Sequence, residues 1–267
     1  MTQIALINAD LPAAWYYISK PVATGCGQLG GKMMKLSIDK KITENFPGAK
    51  IGWLRARITN GGGDPRIAEM KNGLAARLND IGISADTLAL HPDVRRWREV
   101  YAKMGVKPSK YRCSLEALLR RIFKDDLWSV SDVVDCYDCV SALNLLPMGA
   151  HDVTKLRGDM VLRYVREGEK FYPLGAGDSV IECAPPQIVY ADEEKVCCWL
   201  WNYRDTRDAC VDEDTKEALF LVDCAFDTEW RSVEEGLAAL AKELTAIGCE
   251  VRSSGVVSAG SPAAEIE

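Results

Sequence analysis

Positive charge is concentrated in one stretch of a chain that is acidic overall. Between Arg95 and Lys124 there are ten Lys or Arg residues and only two acids, whereas the whole chain of 267 residues has a formal net charge of −6. A surface of this kind suits a polyanion such as an RNA backbone, because cationic side chains that neutralise phosphates release bound counterions. The charge distribution therefore favours a nucleic-acid ligand for this stretch.

The same stretch also permits a simpler interpretation, in which its charges pair with one another. Arg112, Glu116 and Arg120 are four residues apart, so on a helix they form a ladder worth roughly a few tenths of a kcal/mol per pair. Other basic side chains remain available for a ligand. We predict that four of them bind RNA, namely Lys107, Lys110, Arg121 and Lys124.

The chain contains ten cysteines, and Cys136-x-x-Cys139 has the spacing of a zinc knuckle. A tetrahedral zinc site needs four ligands, and the sequence has neither a second Cys-x-x-Cys nor a His-x-x-x-His motif. We therefore expect reduced thiols buried in helices and strands, and no metal.

A second short motif, Gly25-Cys-Gly-Gln-Leu-Gly30, matches the glycine pattern of dinucleotide-binding loops. That pattern is informative only between a strand and a helix, and the residues after it, KMMKLSID, have the pattern of a strand. We expect a flexible connector here, and no cofactor.

The basic stretch itself predicts two helices. Pro92 at a first helical position and Gly105 at a helix end bracket the first of them. The second contains apolar residues at helical spacing, namely Leu115, Leu118, Leu119 and Ile122. These apolar side chains are expected to face the core.

The remaining segments predict an α+β fold. Pro65 to Ile81 and Ser131 to Leu146 have the pattern of one helix each, and from Asp159 onward the apolar segments are short and separated by turns, as in strands. The expected architecture is a helical half packed beside a largely antiparallel sheet half.

The expected domain organisation is an N-terminal extension of residues 1–33, a domain of residues 34–252 and a flexible tail of residues 253–267, rich in small residues. The start of the chain has no basic segment followed by an apolar core, and no run of ~18 apolar residues occurs. We therefore expect a cytoplasmic protein with no membrane partner.

Three sequence blocks resemble a known domain: HPDVRRWREVYAKMGVKPSKYRCSLEALLRR, VVDCYDCVSALNLLPMGAHD, and the WNYRD and DEDTK segments. They are similar to the B3/B4 editing domain of the bacterial phenylalanyl-tRNA synthetase β subunit, and more so to free-standing proteins that carry this domain alone. The similarity runs from about Met34 to Phe226. It implies a B3/B4-like fold, tRNA or aminoacyl-tRNA as the partner rather than DNA, and hydrolysis of mischarged aminoacyl-tRNA in trans.

The chain departs from that family's motifs at three places. Gly149 stands where the synthetase motif has a His, and His151 follows two residues later on what is expected to be a loop. Gln187 stands where relatives have a Glu, and Trp199-Leu200 replaces a basic pair. These departures bear on catalysis more than on fold or ligand class.

The chemistry of an aminoacyl ester limits what such a site needs. The ester is already activated, so a positioned water, a donor for the developing oxyanion and a pocket for the side chain are sufficient. From the resemblance we expect His151 and Asp152 to be catalytic, with His151 replacing the missing imidazole if the backbone bends. Five residues are expected to bind substrate: Asp138, Gly149, Gln187, Asn202 and Arg204.

Two hypotheses about function follow, together with a minor third. In the first, the chain is a deacylase that clears mischarged aminoacyl-tRNA. In the second, it is a noncatalytic module that binds tRNA or an amino acid and has lost its editing chemistry, as Gly149 and Gln187 suggest. In the third, it is a protein-interaction domain whose basic face binds an acidic partner.

Overall fold

The structure is a computed structural model that describes residues 33–59, 61–125, 127–228 and 230–267. All but the last residue of the expected N-terminal extension, and with it the glycine motif, lie outside the described residues. The helices are α1 (Lys40–Asn45), α2 (Pro65–Lys71), α3 (Leu74–Asp80), α4 (Pro92–Lys103), α5 (Ser114–Ile122), α6 (Asp132–Asn144) and α7 (Val233–Ala246).

Twelve strands accompany these helices in the described ranges. The first six are β1 (Met34–Ile38), β2 (Lys50–Arg57), β3 (Met148–Asp152), β4 (Met160–Tyr164), β5 (Lys170–Phe171) and β6 (Ile181–Glu182). The others are β7 (Ile188–Ala191), β8 (Val196–Trp199), β9 (Arg204–Asp205), β10 (Glu217–Cys224), β11 (Glu250–Ser258) and β12 (Ala263–Ile266). Helices and strands therefore share the chain in the proportions of an α+β fold, as predicted.

The strands form two main sheets. The large sheet has six strands in the order β12-β1-β4-β7-β8-β9, and the small sheet has four in the order β11-β2-β10-β3. Every pair is antiparallel except β1 with β4. The largely antiparallel character expected from the sequence is confirmed.

Two hydrophobic cores cover the two faces of the small sheet. On one face, Phe220 and Val222 of β10 pack with apolar residues of α6 and α7, such as Val140 and Leu240. On the other face, residues such as Leu221 belong to a larger core that includes side chains of the large sheet and of α4 and α5. Since β10 is buried along almost its whole length, it contributes to both cores.

The two basic helices form as predicted. Pro92 begins α4 beside the N-cap residue His91, whose Nδ1 accepts a hydrogen bond from Asp93 N at 3.3 Å. Gly105 follows the helix with φ +76°, a conformation that favours glycine. The apolar stripe of α5 is buried along its length. These helices therefore present apolar faces to the larger core and charged faces outward.

Two expectations, about the helix after Pro65 and about the C-terminal tail, were wrong. The segment from Pro65 to Ile81 forms α2 and α3 rather than one helix, because Gly73 adopts a left-handed conformation with φ +67°. The expected flexible tail after Arg252 is structured: β11 pairs with β2 of the small sheet, and β12 pairs with β1 of the large sheet. The small residues there signalled close strand packing instead of disorder.

Glu116 is the centre of the charge cluster on α5. Its side chain is completely buried, and it accepts hydrogen bonds from Arg98 (2.7 and 2.9 Å) and from Arg120 (2.9 Å), with Arg112 at 3.5 Å. Burial alone would raise the pKa of this carboxyl, but the hydrogen bonds from Arg98 and Arg120 lower it overall. Arg98 thus links α4 to α5, whereas Arg112 and Arg120 are each four residues from Glu116 along the chain and pair with it locally.

In the described ranges, none of the helices is both long and apolar enough to cross a bilayer.

Replacing Glu116 with Gln should lower the free energy of unfolding by about 2 kcal/mol at pH 7, because three guanidinium groups lose their buried counter-charge. Because the pKa of Glu116 is lowered in the folded state, its carboxylate stabilises the fold at pH values above the ordinary pKa of a carboxyl group. The difference in free energy of unfolding between wild type and variant should therefore shrink as the pH falls below about 4. Urea denaturation at pH 7 and at a pH below about 4 measures this difference, with the exposed Glu99→Gln as control. A loss that is the same at both pH values would attribute the effect to packing rather than charge.

Candidate functional site

A cavity of about 70 Å³ lies where the two sheets and α5 meet. The small sheet contributes Met148, Gly149, His151, Leu221 and Asp223, and the large sheet contributes Tyr190, Cys198, Arg204 and Asp205. The connection from β8 to β9 adds Trp201, Asn202 and Tyr203, and α5 adds Ser114. Side chains distant in sequence are thus brought into one site.

Strand β3 supplies the predicted imidazole. Gly149 and His151 lie on a strand rather than on the expected loop, and residues two apart on a strand share one face. Both therefore line the cavity without the backbone bend that was expected from the sequence. A Cβ at Gly149 would meet its first neighbour, Asp205 Oδ2, only at 3.9 Å, so Gly149 leaves open space beside His151.

His151 is 2% exposed, and burial lowers the pKa of its imidazole. The ring is therefore neutral at pH 7. In the part of the chain that the structure describes, Nδ1 has no hydrogen-bond partner. Since the ring N–H is directed at the Ala209 carbonyl, the unused Nδ1 of the neutral imidazole can accept a hydrogen bond from a molecule bound in the cavity.

Asp223 lies on the same face of the small sheet and has a network of its own. Its Oδ1 accepts a hydrogen bond from Tyr190 Oη at 2.5 Å, and its Oδ2 accepts one from Asn202 Nδ2 at 3.3 Å. Burial raises the pKa of Asp223 to about 7, although these hydrogen bonds act in the opposite direction. A carboxyl that titrates near neutral pH is suited to general acid–base chemistry.

The connection from β8 to β9 holds Asn202 in place. Leu200 and Trp201 both have positive φ, at 55° and 65°, which is rare for residues other than glycine. The Trp201 ring packs edge-on against Trp97 of α4 with centroids 5.6 Å apart. Asn202 in turn accepts a hydrogen bond from Tyr101 Oη at 3.1 Å. Helix α4 thereby fixes a strained turn whose side chains line the site.

Aromatic and basic residues lead from the cavity to the surface. Tyr203 lines the cavity, and Tyr111 contacts its ring edge-on with centroids 5.4 Å apart. Lys110 Nζ lies 5.1 Å from the centroid of the Tyr111 ring. The exposed Arg204 is on the same rim, with its guanidinium 5.7 Å from the Tyr203 centroid. The connector between α4 and α5 thus adjoins the cavity mouth.

Of the predicted catalytic and substrate-binding residues, His151, Gly149, Asn202 and Arg204 line the cavity, while three others do not. Asp152 points to the opposite face of β3, where it accepts hydrogen bonds from Thr154 Oγ1 and Thr215 Oγ1, both at 2.7 Å.

Gln187 and Asp138 also have other surroundings. Gln187 Oε1 accepts hydrogen bonds from Ala184 N at 3.0 Å and Trp199 Nε1 at 2.9 Å, so it braces a loop. Asp138 lies on α6, where burial raises the pKa of its carboxyl to about 7 and Arg121 acts in the opposite direction.

The four predicted RNA-binding residues form two groups. Lys107 and Lys110 are exposed on the connector between α4 and α5, where Lys110 lies over the Tyr111 ring. Arg121 lies in the last turn of α5 and Lys124 just after it, about 10 Å along the helix axis from Ser114. The Arg121 guanidinium stacks on Trp128, with its carbon 3.8 Å from the ring centroid. Only the first group adjoins the cavity.

The cysteines have the character expected of buried thiols. Burial raises the pKa of both Cys136 and Cys139 to about 12, and the two side chains face different cores from the middle of α6. Within the described ranges, no group of three or more His, Cys, Asp or Glu residues is arranged to hold a metal ion.

The sequence reasoning missed Asp223, Tyr190 and Ser114 as site residues. A signal for Asp223 was present, since this residue interrupts the apolar run ALFLVDCAF in a predicted strand. A buried acid in such a run needs a partner or a function. No comparable signal marks Tyr190 or Ser114, because a Tyr in a strand and a Ser at a helix start are ordinary.

Asp223→Asn should change how stability depends on pH. A carboxyl with a raised pKa stays protonated in the folded state while the unfolded chain ionises, so the wild-type protein loses stability as the pH rises from about 4 to about 7. The variant has no carboxyl group at this position and lacks this loss. Its free energy of unfolding, measured by urea denaturation, should therefore rise by about 2 kcal/mol relative to that of the wild type between pH 5 and pH 8. The exposed Asp86→Asn is the control, and a parallel shift in both variants would refute the assignment.

A match to a family model agrees with the sequence blocks. A family model described as the B3/4 domain matches residues 96–233, just over half of the chain. A solved N-terminal fragment of the phenylalanyl-tRNA synthetase β subunit from Pyrococcus horikoshii is similar over 82% of this chain, with 13% identity and a TM-score of 0.43. The match spans 50% of that fragment. No curated protein matches the chain. The matched residues include every residue that lines the cavity, so the site is part of the matched domain. Because the family model matches just over half of its residues, this chain belongs to the B3/4 domain family.

Proposed function

We propose that this chain binds the aminoacylated 3′ end of a tRNA and hydrolyses the ester bond of a wrongly attached amino acid. The observation that carries the proposal is the distribution of charge at the cavity. Asp205 and Asp223 line the cavity together with the exposed Arg204, and Lys110 lies over the ring of Tyr111, which contacts Tyr203 of the lining. The reaction would take place in trans, and it would take place in the cytoplasm because aminoacyl-tRNA is made there.

This charge distribution matches the substrate at both of its ends. An aminoacyl ester carries an α-ammonium group, which two carboxyl groups inside the cavity would attract. The rest of the ligand is a polyanion, which the basic mouth would attract. Tyr203 and Tyr111 add aromatic faces on which unpaired bases at a tRNA end can stack. The resemblance to the editing domain supports the same ligand.

Hydrolysis requires that a water attack the ester carbonyl and that the ribose oxygen leave with a proton. Asp223, when ionised, can accept the proton of the attacking water, while Tyr190 and Asn202 hold its carboxyl in place. The unpartnered Nδ1 of the neutral His151 imidazole can accept a hydrogen bond from the attacking water and so orient it. No protein nucleophile is needed, because the ester is already activated.

The second candidate is a noncatalytic module that binds the same ligand. It is favoured by Gly149, which stands where the editing motif has a His, and by Gln187, whose Oε1 is used to brace a loop. Binding without hydrolysis would still use the charged mouth and the acidic cavity. The two candidates differ only in whether the bound ester is cleaved.

The purified protein should release amino acids from at least one mischarged tRNA, and His151→Ala and Asp223→Asn should each slow that release by about 10- to 1000-fold. A panel of correctly and incorrectly charged tRNAs measures the release, with circular dichroism as a check on folding. Wild-type rates, corrected for uncatalysed hydrolysis, should rise with pH up to about 7 as Asp223 ionises. If every ester survives while tRNA still binds, the chain is the noncatalytic module.

Charge reversal at the mouth should weaken tRNA binding. Lys107→Glu and Lys110→Glu together should lower the affinity and flatten its dependence on salt, by about one unit in the log–log slope for each phosphate that is no longer neutralised. Filter binding or fluorescence anisotropy at several salt concentrations measures this. Arg121→Glu with Lys124→Glu tests the second group separately. Binding unchanged in both double variants would remove the basic residues from the interface.

A further inference from the structure

Three residues that line the cavity each have a buried polar atom without a hydrogen-bond partner among the described residues. These atoms are Ser114 Oγ, His151 Nδ1 and Trp201 Nε1. The indole N–H of Trp201 lies close enough to Asp223 to lower its pKa, but its geometry falls short of a hydrogen bond. Leaving a buried polar group unpaired costs free energy, so three such groups around one cavity need an explanation.

The cavity is also small. Its volume of about 70 Å³ is less than half of the roughly 150 Å³ that accommodates benzene in an apolar protein cavity. This volume is small for a phenyl or phenol ring. Those walls are firm, because Trp201 is wedged between Trp97 and Phe46, with centroids 5.6 and 5.4 Å away. The volume therefore suits a side chain of a few atoms.

We infer that the amino acid accepted in this cavity has a small side chain that bears a hydroxyl group, as serine and threonine do. This inference rests on the proposed function and names the substrate class of its site. A hydroxyl both donates and accepts, so it can serve the indole N–H of Trp201 and the hydroxyl of Ser114, while His151 Nδ1 stays available to the attacking water. An aliphatic side chain of the same size would leave Trp201 Nε1 and Ser114 Oγ unpaired.

The size of the preference follows from those unpaired groups. A site built to hydrogen-bond a hydroxyl rejects the analogue that lacks it, because its own buried polar groups then have no partners. One or two such groups correspond to roughly a 10- to 100-fold difference. An apolar pocket of the same volume would discriminate between these analogues much less, and in favour of the aliphatic one.

The experiment compares matched pairs of esters. Deacylation rates are measured for tRNA charged with serine against alanine and with threonine against valine, with phenylalanine as a large side chain, each divided by its uncatalysed rate. The serine and threonine esters should react roughly 10- to 100-fold faster than their partners. Equal rates within each pair, or fastest release of phenylalanine, would overturn the inference while leaving deacylation intact.

Ser114→Ala tests the hydroxyl directly. It should lower the serine-to-alanine ratio about tenfold, since one of the two polar groups that would bind the substrate hydroxyl is removed. Ser179→Ala, an exposed serine away from the cavity, is the matched control and should leave the ratio unchanged. A ratio that is the same in the Ser114 variant and the wild type would exclude Ser114 from recognition and contradict the assignment.

A binding measurement separates this inference from the proposed reaction. Adenosine analogues that carry each amino acid through a 3′-amide cannot be hydrolysed, so their affinities report recognition alone. If no ester is cleaved, the proposed deacylation fails, yet tighter binding of the serine analogue than of the alanine analogue would still support the hydroxyl pocket. Equal affinities in that case would overturn both proposals.

Discussion

Strand β10 (Glu217–Cys224) is hydrogen-bonded along both edges and buried on both faces, so each of its side chains is committed to one core or the other. The alternation of a strand then decides the site. Phe220 and Val222 face α6 and α7, whereas Leu221 and Asp223 face the cavity. Moving β10 by one residue would place Asp223 among the helices and Val222 in the cavity. The position of the acid is therefore fixed by the pairing of a whole sheet rather than by local contacts.

The number of basic residues in the sequence overstates the basic surface that a ligand can reach, because other side chains hold some of these residues. Glu116 of α5 is buried and pairs with Arg98, Arg112 and Arg120, so these three arginines are not fully available to a ligand. What remains near the cavity is the short connector with Lys107 and Lys110. The basic stretch thus contributes structure through its helices and electrostatic attraction through the turn between them.

The sequence predicted the helices of the basic stretch because proline, glycine and apolar spacing act locally. It placed His151, Asn202 and Arg204 at the site through the resemblance, but it assigned Asp152 to catalysis although strand alternation turns that residue away. Asp223 was missed because its partners lie elsewhere in the sequence, with Tyr190 on the large sheet and Asn202 in the connection from β8 to β9. Contacts of this kind are not encoded in any one segment.

The C-terminal strands have a consequence for the boundaries of the fold. β11 and β12 form the outer edges of the small and large sheets, so they cover β2 and β1 respectively. A protein shortened to end at Arg252 would leave the buried strand β2 as an unprotected edge, and the Trp53 ring would lose its cover at Gly255. Apolar edges of this kind recruit strands from other molecules. We expect the shortened protein to self-associate, which size-exclusion chromatography would reveal. Strands β11 and β12 would thus protect the sheets against aggregation.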